Sequence, residues 1–361
     1  MGTAPNPNRR ALCQNVAVGA GFLVRYPAWY VPSFPRKPVP RHPPAADHPA
    51  TARKAFALRV PGSASNVGAG FDSVGIAVPR WLVARVLDEQ GARAPWRVER
   101  QGTLAGLDLS AEEDKVVRGF EAACRHAGCA LPPALTFVVS SDIPIARGLG
   151  SSAAAFVAGI ALADLLLRLR LDRGAMVEIG TALEGHPDNI APIVYGGATL
   201  ALREADRVLV VPLTVHPTLT LVFLIPDFPV ETAHAREVLP STVSHATAVR
   251  AAARSAALVQ GLATGDGELL RAALADELHV PFRRHLVRGY DDVVAAAVGS
   301  GAYGATLSGS GSTILALTAP ERAEGVASSM GVAWSRHGVR SEALIASGRV
   351  PGVAEVGDAA G

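Results

Sequence analysis

Lysine is nearly missing from this chain of 361 residues: it occurs only at Lys37, Lys54 and Lys115, so almost all of the 34 positive side chains are arginine. Any step that needs a lysine has to use one of those three. Cysteine is equally scarce. Cys13, Cys124 and Cys129 form an odd, sparse set, which argues against a disulfide framework and fits a reducing, cytoplasmic compartment. Cys124, His126 and Cys129 make a C-x-H-x-x-C cluster, but three local ligands without a fourth or a paired C-x-x-C read as ordinary helix residues. Charged residues make up only 18% of the chain, and 34 basic against 32 acidic groups leave a formal +2. That field is too weak to draw the chain onto nucleic acid or an anionic membrane. Long apolar runs are also lacking. The longest, Ala153 to Ala163, stops at Asp164, well short of the ~20 residues of a membrane span.

What the chain does have is 49% hydrophobic residues and enough length for roughly two domains, each with its own core. The first fifty residues hold ten of the 26 prolines and a single acidic residue, Asp47, so residues 1–54 are expected to be a proline-rich flexible extension outside the fold. Arg9 and Arg10 before Ala11 to Val24 resemble an export signal faintly, but Gln14 and Asn15 interrupt the apolar part and no cleavage site follows. From Ala55 onward, short β-branched runs alternate with alanine-rich stretches. Strands are expected at Ala55 to Val60, Gly75 to Val78, Leu82 to Val86, Leu135 to Ser140, Ala198 to Leu202, Leu219 to Ile225, Gly304 to Ser308 and Thr313 to Leu317. Helices are expected near Lys115 to Ala127, Ser151 to Arg170, Arg173 to Leu183, Val243 to Ala263, Gly267 to His279 and Asp291 to Val298, followed by a last helix and strand. This schedule predicts packed α+β layers.

Pro144-Ile-Ala-Arg-Gly-Leu-Gly-Ser-Ser-Ala-Ala154 runs from a strand through Gly148 and Gly150 into a long apolar helix. Glycines allow the backbone to come close to a ligand, and the first amides of the helix together with its dipole favour an anion. Ser151 or Ser152 can cap that helix or hold a metal. Read alone, the same residues could merely start a buried helix. A Walker A loop would need lysine where Ser151 stands. Gly148, Gly150 and Ala153 satisfy G-x-G-x-x-A, but Pro144 to Arg147 separate the strand from the glycines, and a helical region lies where the dinucleotide motif needs a second strand. Without a loop lysine, a triphosphate needs the helix terminus and a divalent cation, for which Ser152 and Glu178 are the candidate ligands. Glu178 could equally be a solvated helix carboxylate.

Three segments stand together in order: Pro61-Gly-Ser-Ala-Ser-Asn-Val-Gly-Ala-Gly-Phe-Asp72, the Gly148 to Ala154 loop, and Gly304-Ala-Thr-Leu-Ser-Gly-Ser-Gly-Ser312. Their pattern resembles the three motifs of the GHMP small-molecule kinases. Glu184-Gly-His-Pro-Asp-Asn189 and Thr232-Ala-His-Ala-Arg-Glu-Val-Leu-Pro240 are similar, more narrowly, to the homoserine kinase branch. The match runs from Ala55 to about Ser347.

The resemblance implies a two-domain α+β fold: a ribosomal-protein-S5-like ATP-binding domain at 55–212, a ferredoxin-like domain at 213–350 and a tail at 351–361. It implies ATP and magnesium as cofactors, L-homoserine as the substrate phosphorylated on its side-chain hydroxyl for threonine biosynthesis, and a homodimer. Pro144, Ile145, Ala146, Arg147, Gly148, Leu149, Gly150, Ser151, Ser152, Ala153 and Ala154 would bind the nucleotide, with Ser152 and Glu178 near the metal. Asn66, Asp72, His186, Asn189, Thr232, Arg236 and Arg283 would line the homoserine pocket. A zwitterion needs an acid for its ammonium and guanidinium groups for its carboxylate, and Asp72, Arg236 and Arg283 supply both. Asn189 stands where some relatives have an aspartate, and an amide takes no proton, so it is expected to position groups and no general base is assigned. Gly62, Ser312 and Lys115 depart from the usual pattern; Lys115 replaces an asparagine associated with adenine contact. Another GHMP kinase, such as one acting on mevalonate, and a non-catalytic binding protein on the same fold are the alternatives. Mevalonate lacks an amine for Asp72 to meet.

Overall fold

The computed structural model describes residues 55–88, 96–204 and 207–355; the proline-rich stretch 1–54, where the flexible extension was expected, lies outside the described residues, as do 356–361. The first half contains β1 (Ala55–Ser65), β2 (Val74–Asp88), β3 (Arg97–Gly102), α1 (Lys115–Ala127), β4 (Leu135–Ser141), α2 (Ser151–Leu167), α3 (Arg173–Glu184), α4 (Ile190–Tyr195), β5 (Ala198–Glu204) and β6 (Arg207–Leu213). The second contains β7 (Thr220–Pro226), α5 (Thr232–Glu237), α6 (His245–Thr264), α7 (Gly267–Leu274), α8 (Val280–Arg283), α9 (Tyr290–Gly299), β8 (Gly304–Leu307), β9 (Ile314–Thr318), α10 (Ala323–Arg336), β10 (Ser341–Ser347) and β11 (Ala354–Glu355).

The larger sheet has the order β11-β1-β2-β4-β3, with β5 also on β2 and β6 on β5. The two strands expected either side of Pro79 are one strand, β2. Its register against β1 jumps from Gly62↔Val78 to Pro61↔Trp81, so Pro79 and Arg80 form a bulge that a proline without an amide tolerates. Either side of that bulge β2 pairs with a different neighbour, β5 at Val74–Ile76 and β4 at Leu82–Asp88. Residue 351 onward is not a free tail as far as 355, because Leu58 and Arg59 of β1 pair with Glu355 and Ala354.

The smaller sheet has the antiparallel order β10-β7-β9-β8, the strand order of a ferredoxin-like fold once α-helical connections are added between β7 and β8 and between β9 and β10. Period-two alternation divides its central strands between two cores. Leu221, Phe223, Leu315 and Leu317 enter the large core shared with the first sheet. Val222, Leu224, Ile314 and Ala316 enter a second core closed by α9 and α10, with Trp334 at its centre. Helix α2 is apolar on every side, and Ala153, Val157, Ile160 and Leu162 are fully buried, as expected of a helix passing through the middle of a core. It ends at Leu167, short of the expected Arg170, because Arg168 and Arg170 adopt left-handed backbone.

The helix expected from Gly267 to His279 is broken in two. Asp276 Oδ2 accepts from the amides of Leu278, His279 and Val280 at 3.1, 2.7 and 2.8 Å, and this carboxylate starts α8. Helix α8 ends on Arg283, which is buried to 1% exposure.

Candidate active site

The loop after β4 is stitched down from behind. The carbonyl of Ala146 accepts from Val230 N at 3.0 Å, that of Arg147 from Thr313 N at 3.2 Å and that of Leu149 from Ser63 N at 3.0 Å. Gly148 O accepts from Ser308 Oγ at 2.6 Å. Four consecutive carbonyls are thereby engaged with protein, while α2 begins at Gly150 with no side-chain cap, leaving its first amides available to an anion. Gly148 and Gly150 are left-handed, and a Cβ on them would lie 2.0 Å from Ser308 O and 2.1 Å from Ser63 Oγ respectively. Arg147, the one cation in the loop, turns away. Its guanidinium donates to the carbonyls of Ile145, Pro226 and Asp227 at 3.0, 3.0 and 2.9 Å and so ties the loop to the end of β7.

Ser152 is the junction of two other elements. Lys115 Nζ, from the first turn of α1, donates to Ser152 Oγ at 2.5 Å, and that hydroxyl donates to Glu184 Oε2 at 2.8 Å. The expected partner, Glu178, does not line the cavity and makes no hydrogen bond or ion pair among the described residues. The end of α3, rather than its middle, carries a carboxylate to Ser152. The hydroxyl and carboxylate oxygens of Ser152, Glu184 and Glu178 are all hard donors of the kind magnesium takes.

The second group of expected residues converges on the same cavity, about 340 Å³, which is lined by the loop from Pro144 to Ser152 and also by Asn66, His186, Asn189, Thr232, Arg236 and Arg283. Ala153 and Ala154 lie behind it, fully buried in the core. Asp72 is reached through Arg236, whose Nη1 and Nη2 donate to its two oxygens at 3.0 and 2.6 Å. Asn66 and Asp72 both hold left-handed backbone without being glycine. Asn66 Oδ1 accepts from Asp72 N at 2.8 Å, which fixes the turn that presents the acid. Arg283 Nε donates to Ala235 O at 2.8 Å. Burial, and then the nearby charge of Arg236, push the Arg283 guanidinium down to about 10. Phe71, which sequence reasoning passed over, is a platform for this cluster: Arg283 lies 5.2 Å and Arg236 5.8 Å from its ring centroid, and His279 stacks on it at 5.1 Å.

Asn189 is held between two serines of β1. Its Oδ1 accepts from Ser63 Oγ at 2.8 Å and its Nδ2 donates to Ser65 Oγ at 2.9 Å, so the amide has one orientation. Thr232 Oγ1 sits 3.4 Å from Ser310 Oγ in the third glycine segment. Ser63, Ser65, Ser310 and Glu184 are site residues not singled out from sequence; only their membership of the quoted motifs pointed to them.

His186 Nδ1 and Asp188 Oδ1 are 2.7 Å apart, and Asp188 is fully buried. Burial opposes charge on the imidazole, but the hydrogen bond and negative charge of Asp188 outweigh it, and the pKa of His186 is raised above its ordinary value. A raised folded pKa means that the protonated ring stabilises the fold below its unfolded pKa of about 6.5 and that this contribution fades as pH climbs through the folded value. An NMR titration of His186 should therefore have its midpoint above 6.5, and Asp188→Asn should lower that midpoint. An unchanged midpoint in Asp188→Asn would assign the shift elsewhere. Asp72, His186 and Asp188 also lie close enough to share a cation, but Arg236 already engages both oxygens of Asp72.

Comparison with known proteins agrees with this geometry. Residues 114–197 match the family model of the GHMP kinases N terminal domain, and residues 258–335 match that of the GHMP kinases C terminal region. Homoserine kinase from Trichormus variabilis is 37% identical over 284 residues, covering 79% of this chain and 93% of that protein. The Synechococcus sp. homoserine kinase is 39% identical over 294 residues, covering 80% and 94%. Among solved structures, homoserine kinase from Cytophaga hutchinsonii superposes with a TM-score of 0.75 at 28% identity, over 86% of this chain and 100% of that one. Mevalonate kinase from L. major, at 15% identity and a TM-score of 0.57, shares the fold alone. Similarity of this extent, along most of the chain and over both halves of the fold, places it in the homoserine kinase family of the GHMP kinases.

Proposed function

We propose that the protein transfers the terminal phosphoryl group of ATP to the side-chain hydroxyl of L-homoserine, giving O-phospho-L-homoserine and ADP. The observation that carries this reading is the single cavity that touches both the Gly148 to Ser152 loop and the His186, Arg236 and Arg283 cluster. Donor and acceptor can then lie in line without a large movement. Arg236 and Arg283 take the substrate carboxylate, Asp72 its ammonium, and the hydroxyl is left directed at the loop. Asn66 and Thr232 shape the pocket, and Asn189 orients the hydroxyl through an amide fixed by Ser63 and Ser65. The hydroxyl oxygen bonds to the γ phosphorus as the bond to the bridging oxygen of ADP breaks. The proton leaves for a phosphate oxygen, with no side chain acting as general base. We place the division between nucleotide-binding and C-terminal halves at residues 212 and 213, at the end of β6.

When bound, magnesium would supply positive charge to offset that of the phosphate oxygens. Ser152 with Glu178, a carboxylate on α3 that meets no other group among the described residues, would hold it, and Glu184, which already accepts from Ser152 Oγ, is the competing ligand. Coupled ADP release with homoserine, threonine, serine and mevalonate tests the function. Homoserine should give the highest kcat/KM. A preference for mevalonate would point to another GHMP kinase, and binding without ADP release to a non-catalytic protein. In the same assay, Ser152→Ala and Glu178→Gln should each raise the magnesium needed for half-maximal rate at least about tenfold, as changes at metal ligands do. If Glu184→Gln has that effect and Glu178→Gln has none, Glu184 is the ligand.

A further inference from the structure

We propose that Lys115 is the phosphate-contacting cation of this enzyme, doing from the start of α1 what the loop itself cannot do without a lysine. The inference rests on the ATP reading above. Four guanidinium groups line the cavity with it, and each is already committed. Arg100 holds Asp114 at 2.9 Å, Arg147 holds three carbonyls, Arg236 holds Asp72 and Arg283 holds the carbonyl of Ala235. Lys115 is exposed, is the only lysine among the described residues, and its ammonium meets a neutral hydroxyl, Ser152 Oγ, and the face of Phe156 at 5.5 Å.

Its place on α1 works against the helix. Lys115 is the first residue of α1, directly after the Asp114 cap, where the helix dipole disfavours a cation. Glu184 is the last residue of α3, where the dipole disfavours an anion. These two misplaced charges meet through one hydroxyl at the mouth of the anion-binding helix α2. The two opposite charges offset each other in part through that hydroxyl, and a phosphate at the start of α2 would give the ammonium a full counter-charge. The ammonium stands beside the uncapped start of α2, within a flexible four-carbon reach of any phosphate bound there. An asparagine at this position could contact a base but could not neutralise a phosphate.

The test separates phosphate contact from base contact. Calorimetric binding of adenosine, AMP and ADP at saturating magnesium should be measured for the wild type, Lys115→Met and Lys115→Arg. Lys115→Met should weaken ADP about ten- to a hundredfold, the range for one charge-assisted hydrogen bond, and leave adenosine within about twofold. Lys115→Arg should recover most of the ADP affinity because it keeps the charge. The dependence of ADP affinity on salt should be shallower in Lys115→Met than in the wild type. Equal weakening of adenosine and ADP would overturn the proposal in favour of a base contact, and unchanged ADP affinity would overturn it outright. Wild type that binds ADP but does not turn over homoserine would remove the proposed function and leave this inference standing. Wild type that binds no ADP would remove both.

Discussion

Arg236→Ala should lower kcat/KM for homoserine at least tenfold while moving the KM for ATP far less. In the free protein Arg236 and Asp72 neutralise each other, with side chains each 35% exposed. A pair that wet contributes only about 0–1 kcal/mol to stability, so the variant should fold normally. In the proposed reaction, an entering zwitterion would exchange the pair for two substrate contacts away from water, the guanidinium taking the carboxylate and Asp72 the ammonium. Removing one member of such a desolvated pair typically costs about 2–5 kcal/mol, much of it from leaving the opposite charge without a partner, and every ~1.4 kcal/mol is a decade in kcat/KM. Asp72→Asn should likewise weaken homoserine, with a smaller penalty for an analogue lacking the amine. The check is a full set of constants for both substrates with both variants. Equal damage to ATP and homoserine would contradict this division of labour.

Gly148→Ala should do comparable harm through the backbone. At φ 71 an L-residue carries a penalty of about 1–2 kcal/mol, and the new Cβ would sit 2.0 Å from Ser308 O and 2.9 Å from Gly311 O. Both obstacles are main chain, held by the hydrogen bonds that stitch the loop to the third glycine segment, so neither can yield as a side-chain tip could. Overpacking of this kind adds about 1–3 kcal/mol. The variant should lose about 2–5 kcal/mol of stability by denaturant titration, and its KM for ATP should rise because the loop is displaced from the start of α2. Near-wild-type stability with normal nucleotide affinity would show that the turn has more room than its geometry implies.

How far the sequence disclosed these features depended on whether their cause was local. Helix α1 could be read to both of its ends because Asp114 caps it and Gly128 ends it in left-handed backbone. Strand β3 escaped notice because it is an exposed edge strand with polar residues Arg97, Glu99 and Gln101, whereas β6 carries the apolar run Val208 to Val211 and was legible but passed over. Helix α4 was hidden by Pro192, which is tolerated because it falls in the first turn. The glycine loops and the charged residues of the pocket were legible as motifs. Their pairing was not, since Asp72 and Arg236 are 164 residues apart and only the folded chain shows that they hold each other. Glu178 and Glu184 lie on one helix, and nothing in their spacing told which of them reaches Ser152.

The strands β7 and β9 were described as sending alternate side chains into two different cores. A protein built this way has no seam. Separating the halves at the β6 to β7 connection would expose Leu221, Phe223, Leu315 and Leu317, each worth roughly 1.5–3 kcal/mol when buried, so neither half should stay monodisperse when produced alone. Burial of these side chains in the core shared by both sheets opposes a large rotation of one half against the other. The parts of the cavity wall with least burial to lose are short, among them the six-residue helix α5 that carries Thr232 and Arg236 and buries only Ala235.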